Sequence, residues 1–260
     1  MATVHRPPNQ TSGTIAYPDK AKTSVVPYTS GKQLCYLGAS INNRAAANNT
    51  IGTTKILHTS KWLAGQWDDS ETISYIEDTV DAQDVGTGDF AVTTTTNNDG
   101  FVLQCLNKFN IISLQISQAS AGSPVYEITY WNGAWTALTC IEAPAFASTG
   151  EKTIAFTIPT DWTPLIATDA PVATDGLTTG YYAIRVRATT APSTAVLATQ
   201  LWVASFLVNF KESAADNDVV NFNYDDQISG LELEGGESIG AYFYTSHADN
   251  AVDVRYYEKG

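Results

Sequence analysis

The sequence predicts an all-β protein: an antiparallel β-sandwich of jelly-roll or immunoglobulin-like type, with an extended N-terminal arm and a β-rich C-terminal segment. Three observations predict it. Residues 125–138 read as strand, tight turn, strand. Tyr126, Ile128 and Tyr130 alternate with Val125, Glu127, Thr129 and Trp131, and Asn132-Gly133 then supplies the two positive-φ positions of a type I′ turn. Residues 180–187 alternate as cleanly, with Tyr182, Ile184 and Val186 on one face and Tyr181, Ala183, Arg185 and Arg187 on the other. Short β-forming runs separated by turn residues recur along the rest of the chain, and no stretch carries a helical period.

The elements follow in order. Residues 1–33 are rich in Pro, Thr and Ser, and Pro7-Pro8, Pro18 and Pro27 argue against helix and central strand. This segment is expected to be an extended arm that orders on a neighbouring subunit through Val25, Val26 and Tyr28. Residues 34–108 form a β-rich segment. In it, Leu34, Tyr36 and Leu37 mark a first strand, Lys55 to His58 a short one, and Phe101 to Leu106 a buried one. Residues 62–69 read as a surface turn anchored by Trp62 and Trp67, and both rings are expected at an interface. Residues 109–210 form a sandwich module. Ile112, Leu114 and Ile116 alternate in its first strand, 153–158 alternate up to Pro159, and 201–210 hold Trp202, Phe206 and Phe210. Its expected core is Trp131, Trp135, Trp162, Tyr182, Ile184, Val186 and Trp202, since large aromatics lock the ends of a two-sheet core. Residues 211–260 are expected to end in a hairpin, 239–245 against 252–257, that packs on the body.

Composition bounds the function. At 260 residues the chain can bury a sizeable core. Only 16% of its residues are charged, against about 25% in ordinary soluble domains, which leaves a neutral-polar surface of Thr, Ala, Asn, Ser and Gly. The formal charge of −13 lacks the basic footprint that nucleic acid or an anionic membrane requires, so neither is an expected partner. Residues 1–10 carry no apolar stretch of a signal peptide, and synthesis in the cytoplasm is expected. Cys35, Cys105 and Cys140 are odd in number and widely spaced, without a zinc or redox pattern, and read as free thiols.

No catalytic constellation stands out, and the chain is expected to be no enzyme and to need no cofactor or metal. His5, His58 and His247 have no nucleophile at a recognisable spacing, and there is no Gly-x-Ser-x-Gly elbow. Asp68-Asp69, Asp225-Asp226 and Glu232 with Glu234 are pairs that glycoside hydrolysis can use, but they sit where solvated turn carboxylates are ordinary. Clustered oxygen ligands for a structural cation occur at Asp216-Asn217-Asp218, at Asp225-Asp226 and at Asp78, Asp81 and Asp84, none with EF-hand spacing. Trp62 and Trp67 are also the rings a sugar-binding surface would use.

One stretch has a family likeness. Tyr130-Trp131-Asn132-Gly133-Ala134-Trp135-Thr136-Ala137-Leu138, then Ile158-Pro159-Thr160-Asp161-Trp162, then Gly180 to Thr189 form a hairpin, a turn and a strand in fixed order. Residues 109–208 thereby resemble a β-sandwich module of tailed-bacteriophage virion proteins. The same words recur in fibre, baseplate and head-surface proteins. The resemblance implies a virion structural protein made in the host cytoplasm, most directly a decoration or cement subunit on the capsid surface. Its partners would be the major capsid protein and copies of itself, with a trimer expected by symmetry. It implies no catalytic residue. The alternatives are a tail, baseplate or fibre component, or a receptor-recognition module that takes a host glycan.

Overall fold

The computed structural model describes residues 9–13, 33–44, 49–207, 211–214, 219–223, 231–244 and 251–259. Among the described residues strand makes up 52% and helix 6%, in antiparallel sheets, so the protein is all-β, as its alternation predicts. In chain order the elements are β1 (Asn9–Gly13), β2 (Gln33–Asn42), β3 (Asn49–Ile56), β4 (Trp62–Trp67), β5 (Tyr75–Glu77), α1 (Thr79–Gln83), β6 (Phe90–Thr93), β7 (Gly100–Cys105), β8 (Ile111–Gln118), β9 (Val125–Trp131), β10 (Trp135–Ala137), β11 (Cys140–Glu142) and β12 (Gly150–Phe156). There follow α2 (Ala170–Ala173), β13 (Tyr182–Thr190), β14 (Val196–Phe206), β15 (Lys211–Ala214), β16 (Val219–Asn223), β17 (Leu231–Leu233), β18 (Ser238–Phe243) and β19 (Ala251–Lys259). The chain divides into two compact units. One is the continuous stretch Thr59–Val203, and the other joins Met1–His58 to Ala204–Gly260.

The continuous unit is a two-sheet sandwich. One sheet has the order β10-β9-β13-β7-β4-β5, and the other runs β11-β12-β8-β14 with β6 also on β14. Central strands read as unbroken buried runs. Every residue of β7 is buried, and Ile111 to Leu114 of β8 are buried on both faces. Rings from the two sheets meet between them: Phe90 of β6 lies edge-on to Phe101 of β7 at 5.7 Å. Trp162, in the turn after β12, is 2% exposed and touches Phe109, Phe156 and Tyr182 at 5.2, 6.0 and 5.5 Å. Buried aromatic pairs of this kind contribute about 0.5–1.5 kcal/mol each beyond their area.

The discontinuous unit is built on β2 and β3. The order β1-β19-β2-β16 forms one sheet, with β17 also on β2. β3 pairs with β18, with β15 and with the Ala204–Phe206 end of β14. Tyr36, Ile41, Ile51, Ile239, Phe243 and Val254 form its core. Tyr36 Oη and Thr53 Oγ1 share a buried hydrogen bond of 2.9 Å. Burial pushes the Tyr36 phenol up to about 12, against the pull of that bond and of Arg255.

Several expectations are corrected. Residues 62–67 are strand β4, not a surface turn, because their backbone pairs with β7 on one side and β5 on the other, and Trp62 and Trp67 are buried on opposite faces of the strand. β18 and β19 do not form a hairpin: β18 pairs with β3 and β19 with β1 and β2. Both strands have the alternation of a hairpin arm, but pairing at long range satisfies their backbone equally well. Asn9–Gly13, inside the expected arm, pair with β19. The continuous unit begins at Thr59, well before the module expected at 109, because β4 and β7 are interior strands of the same sheet as β9 and β13. Two one-turn helices, α1 and α2, occur where no helix was expected. Val25, Val26, Tyr28 and Phe210 lie outside the described residues.

Candidate functional site

The aromatic hairpin and the loops that meet it form the most built-up polar cluster of the continuous unit. Strands β9 and β10 pair Trp131 with Trp135, so three residues connect them. Of these only Gly133 takes a positive φ, of 99°, and the turn is therefore not type I′. The reason is visible in Asn132, whose side chain is engaged elsewhere. Its Nδ2 donates to Asp161 Oδ2 at 2.7 Å, and its Oδ1 accepts from Thr136 Oγ1 at 2.9 Å. Tyr130 Oη donates to the other Asp161 oxygen at 2.9 Å. These donors, Asn132 first, hold the Asp161 carboxyl below its ordinary range, and the same contact raises the Tyr130 phenol. Asp169 is a second acceptor for the hairpin, taking hydrogen bonds from Trp131 Nε1 at 2.9 Å and from the Ile166 amide at 2.8 Å. Two aspartates thus fasten the 159–169 loop to the hairpin.

Behind the hairpin lies an arginine between two indoles. Arg185 of β13 is only 6% exposed. Its guanidinium carbon lies 4.5 Å from the Trp135 ring centre and 5.0 Å from that of Trp67. Trp135 also meets Trp67 and Trp131 edge-on, at 6.1 and 5.5 Å. Gly65 is in register with Val102, and Val102 with Arg185; the absence of a Gly65 side chain leaves space that the Tyr75 ring fills. Burial, and then Arg187, pulls the Arg185 pKa down to about 10, while Glu127, Asp69 and Asp175 oppose the shift. Among the described residues its Nε has no hydrogen-bond partner. A desolvated cation–π contact of this kind contributes about 2 kcal/mol. Arg187 instead pairs with Glu127, Nε to Oε2, at 2.7 Å.

The expected residues distribute as follows. Trp131, Trp162, Ile184 and Val186 are core, while Trp135, Tyr182 and Trp202 are half-buried. Trp62 and Trp67, expected at an interface, are 2% and 3% exposed and belong to the chain's own interior. Cys35 and Cys105 are buried and in no disulfide, and burial pushes the half-buried Cys140 thiol up to about 11. Asp68 closes its own turn by accepting from the Ser70 amide and hydroxyl. Asp78, Asp81 and Asp84 are not brought together as ligands: Asp84 Oδ1 accepts from the Gly86 amide, and no trio of His, Cys, Asp or Glu converges among the described residues. Asp78 is pushed up to about 6 by burial and then by Asp81 and Glu77. His58 is exposed beside Gly236, and Glu234 lies in the turn that Glu237 Oε2 closes. His5, His247, Asp216 to Asp218 and Asp225-Asp226 lie outside the described residues.

Sequence reasoning missed the Arg185 stack and the Asn132–Asp161 tie. A buried arginine on an apolar strand was the available signal, since such a charge needs a planar or anionic partner. Comparisons with protein-family models, with curated proteins and with solved structures return no match.

Proposed function

We propose that the chain is a non-enzymatic structural subunit of a bacteriophage virion, a decoration or cement protein of the capsid surface. The observation that carries this reading is the use made of the residues behind the resemblance. Tyr130, Trp131, Asn132, Asp161, Trp162 and Arg185 tie one hairpin, one turn and one strand into a single packed corner. Their chemistry is spent on rigidity, which suits a subunit whose work is to hold a shape against neighbours. The mechanism is mass action: a subunit that binds the assembled shell and not its free components stabilises the shell. The test is mass-spectrometric copy number on purified particles. Copies on the order of hundreds, as the many equivalent positions of a symmetric shell require, support the reading. A handful would move the protein to the tail, and absence from particles would end the proposal.

A glycan-recognition reading is favoured by one feature, the half-exposed Trp135 ring on edge strand β10. Binding on a glycan array that disappears with Trp135→Ala, in a chain absent from particles, would replace the first reading with this one.

A further inference from the structure

The described residues carry one acidic surface that also displays large apolar side chains. Within residues 71–85, which hold β5, α1 and the turns on either side, Ile73, Ile76, Val80 and Val85 are 56%, 47%, 64% and 65% exposed. These are four of the nine large hydrophobics exposed among the described residues. Isolated exposed apolar residues are ordinary, but a concentration of them marks an interaction surface. The same stretch holds Glu71, Glu77, Asp78, Asp81 and Asp84, and no Lys or Arg occurs from Trp62 to Asn107. β5 is the terminal strand of its sheet, so this surface lies at an edge. The fitting occupant is an apolar segment with positive charge.

Of the stretches outside the described residues, one is such a segment. Residues 14–32 hold Lys20, Lys22 and Lys32 against the single acid Asp19, together with Ile15, Tyr17, Val25, Val26 and Tyr28. In a chain of net charge −13, this segment is net positive, with three lysines against one aspartate. We infer that the 73–85 surface is the docking site for the 14–32 segment of a second copy. The inference rests on the reading of the chain as a subunit that contacts its own copies, and it locates that contact. Apolar burial supplies the attraction, and the lysine–carboxylate complementarity sets partner and orientation.

Sedimentation velocity of the purified full chain tests it without any particle present. The wild type is expected to associate at about 0.05 M salt and to loosen at about 0.5 M, where exposed charges are screened. Val80→Ser with Val85→Ser, and separately Lys20→Glu with Lys22→Glu, should each weaken association at least roughly tenfold. Combining Lys20→Glu and Lys22→Glu with Asp81→Lys and Asp84→Lys should restore it. Circular dichroism melts within a few degrees of the wild type show that the variants are folded. A monomeric wild type, association untouched by both sets, or a 20-to-81 cross-link confined to single chains would overturn the inference. A chain that assembles as described yet is absent from particles sinks only the virion reading. One abundant on particles but indifferent to these substitutions sinks only the docking site.

Discussion

Replacing Trp162 tests the packing of the sandwich most directly. The ring is 2% exposed and lies against Phe109, Phe156, Tyr182 and Tyr130 at 5.2, 6.0, 5.5 and 6.3 Å. Truncation to alanine removes on the order of 150 Å² of buried apolar surface, about 4 kcal/mol at 25–30 cal/mol per Å². Lost ring contacts and incomplete collapse of the cavity keep the total near 4–5 kcal/mol. The indole Nε1 adds a second expectation. It is buried with no partner among the described residues, so folding leaves a donor unsatisfied. Trp162→Phe removes that donor with one ring and should therefore cost no more than about 1 kcal/mol. Urea unfolding followed by far-ultraviolet circular dichroism measures both variants with the remaining tryptophans in place. If the Phe variant loses as much as the Ala variant, the indole N–H has a partner and the argument fails. If the Ala variant loses less than about 1 kcal/mol, Trp162 is not the centre of this core.

Asp78 gives a pH signature. Its folded carboxyl titrates at about 6, above the ordinary carboxylate value, so the folded state holds the proton more tightly than the unfolded state. This contribution is fully present below about pH 4 and is lost as pH rises through about 6. Discounted for partial exposure, the penalty at neutral pH is roughly 1 kcal/mol. Asp78→Asn retains a helix-capping residue and should stabilise by that amount at pH 7 but not at pH 4; equal effects at both would refute the assignment. Gly100→Ala drives a Cβ into the Val186 carbonyl oxygen, a backbone atom held in register, and should cost about 3 kcal/mol or more. Gly133→Ala meets nothing within 4 Å and should cost only the left-handed backbone penalty, about 1–2 kcal/mol, by the same denaturation assay. Arg185→Lys replaces a planar cation between two indoles with a compact one and should lose about 1–2 kcal/mol, whereas an unchanged midpoint would mean the stack contributes nothing. Cys140, pushed up to about 11, should react with iodoacetamide at pH 7.5 roughly a hundredfold more slowly than a thiol at its ordinary value.

Local pattern determined much of this protein from the sequence alone. The alternation at 125–131 and 182–190, with turn residues between short β-forming runs, specified strands, because a period of two places every second side chain on one face. Trp131, Trp162, Ile184 and Val186 are legible as buried for the same reason, joined to their size, whereas Trp135, Tyr182 and Trp202, read the same way, are only half-buried. Pairing was not legible. Nothing local distinguishes β18 and β19 as partners of each other from partners of β3 and β2, since backbone hydrogen bonds are the same in every register. The turn at Asn132-Gly133 was misjudged because the Asn132 side chain answers to Asp161, twenty-nine positions away in the chain. Trp67 looked like a surface anchor until β7 and β5 closed around its strand and Arg185 came against its ring from β13. The sequence by itself determined which segments are extended and which side chains seek burial, because propensity and hydrophobic period act over a few residues. Only the tertiary structure decided which strands meet, where the buried charge finds its aromatic partners, and which apolar residues, Ile73 to Val85, are left facing solvent. Those outcomes depend on chain segments brought together from far apart.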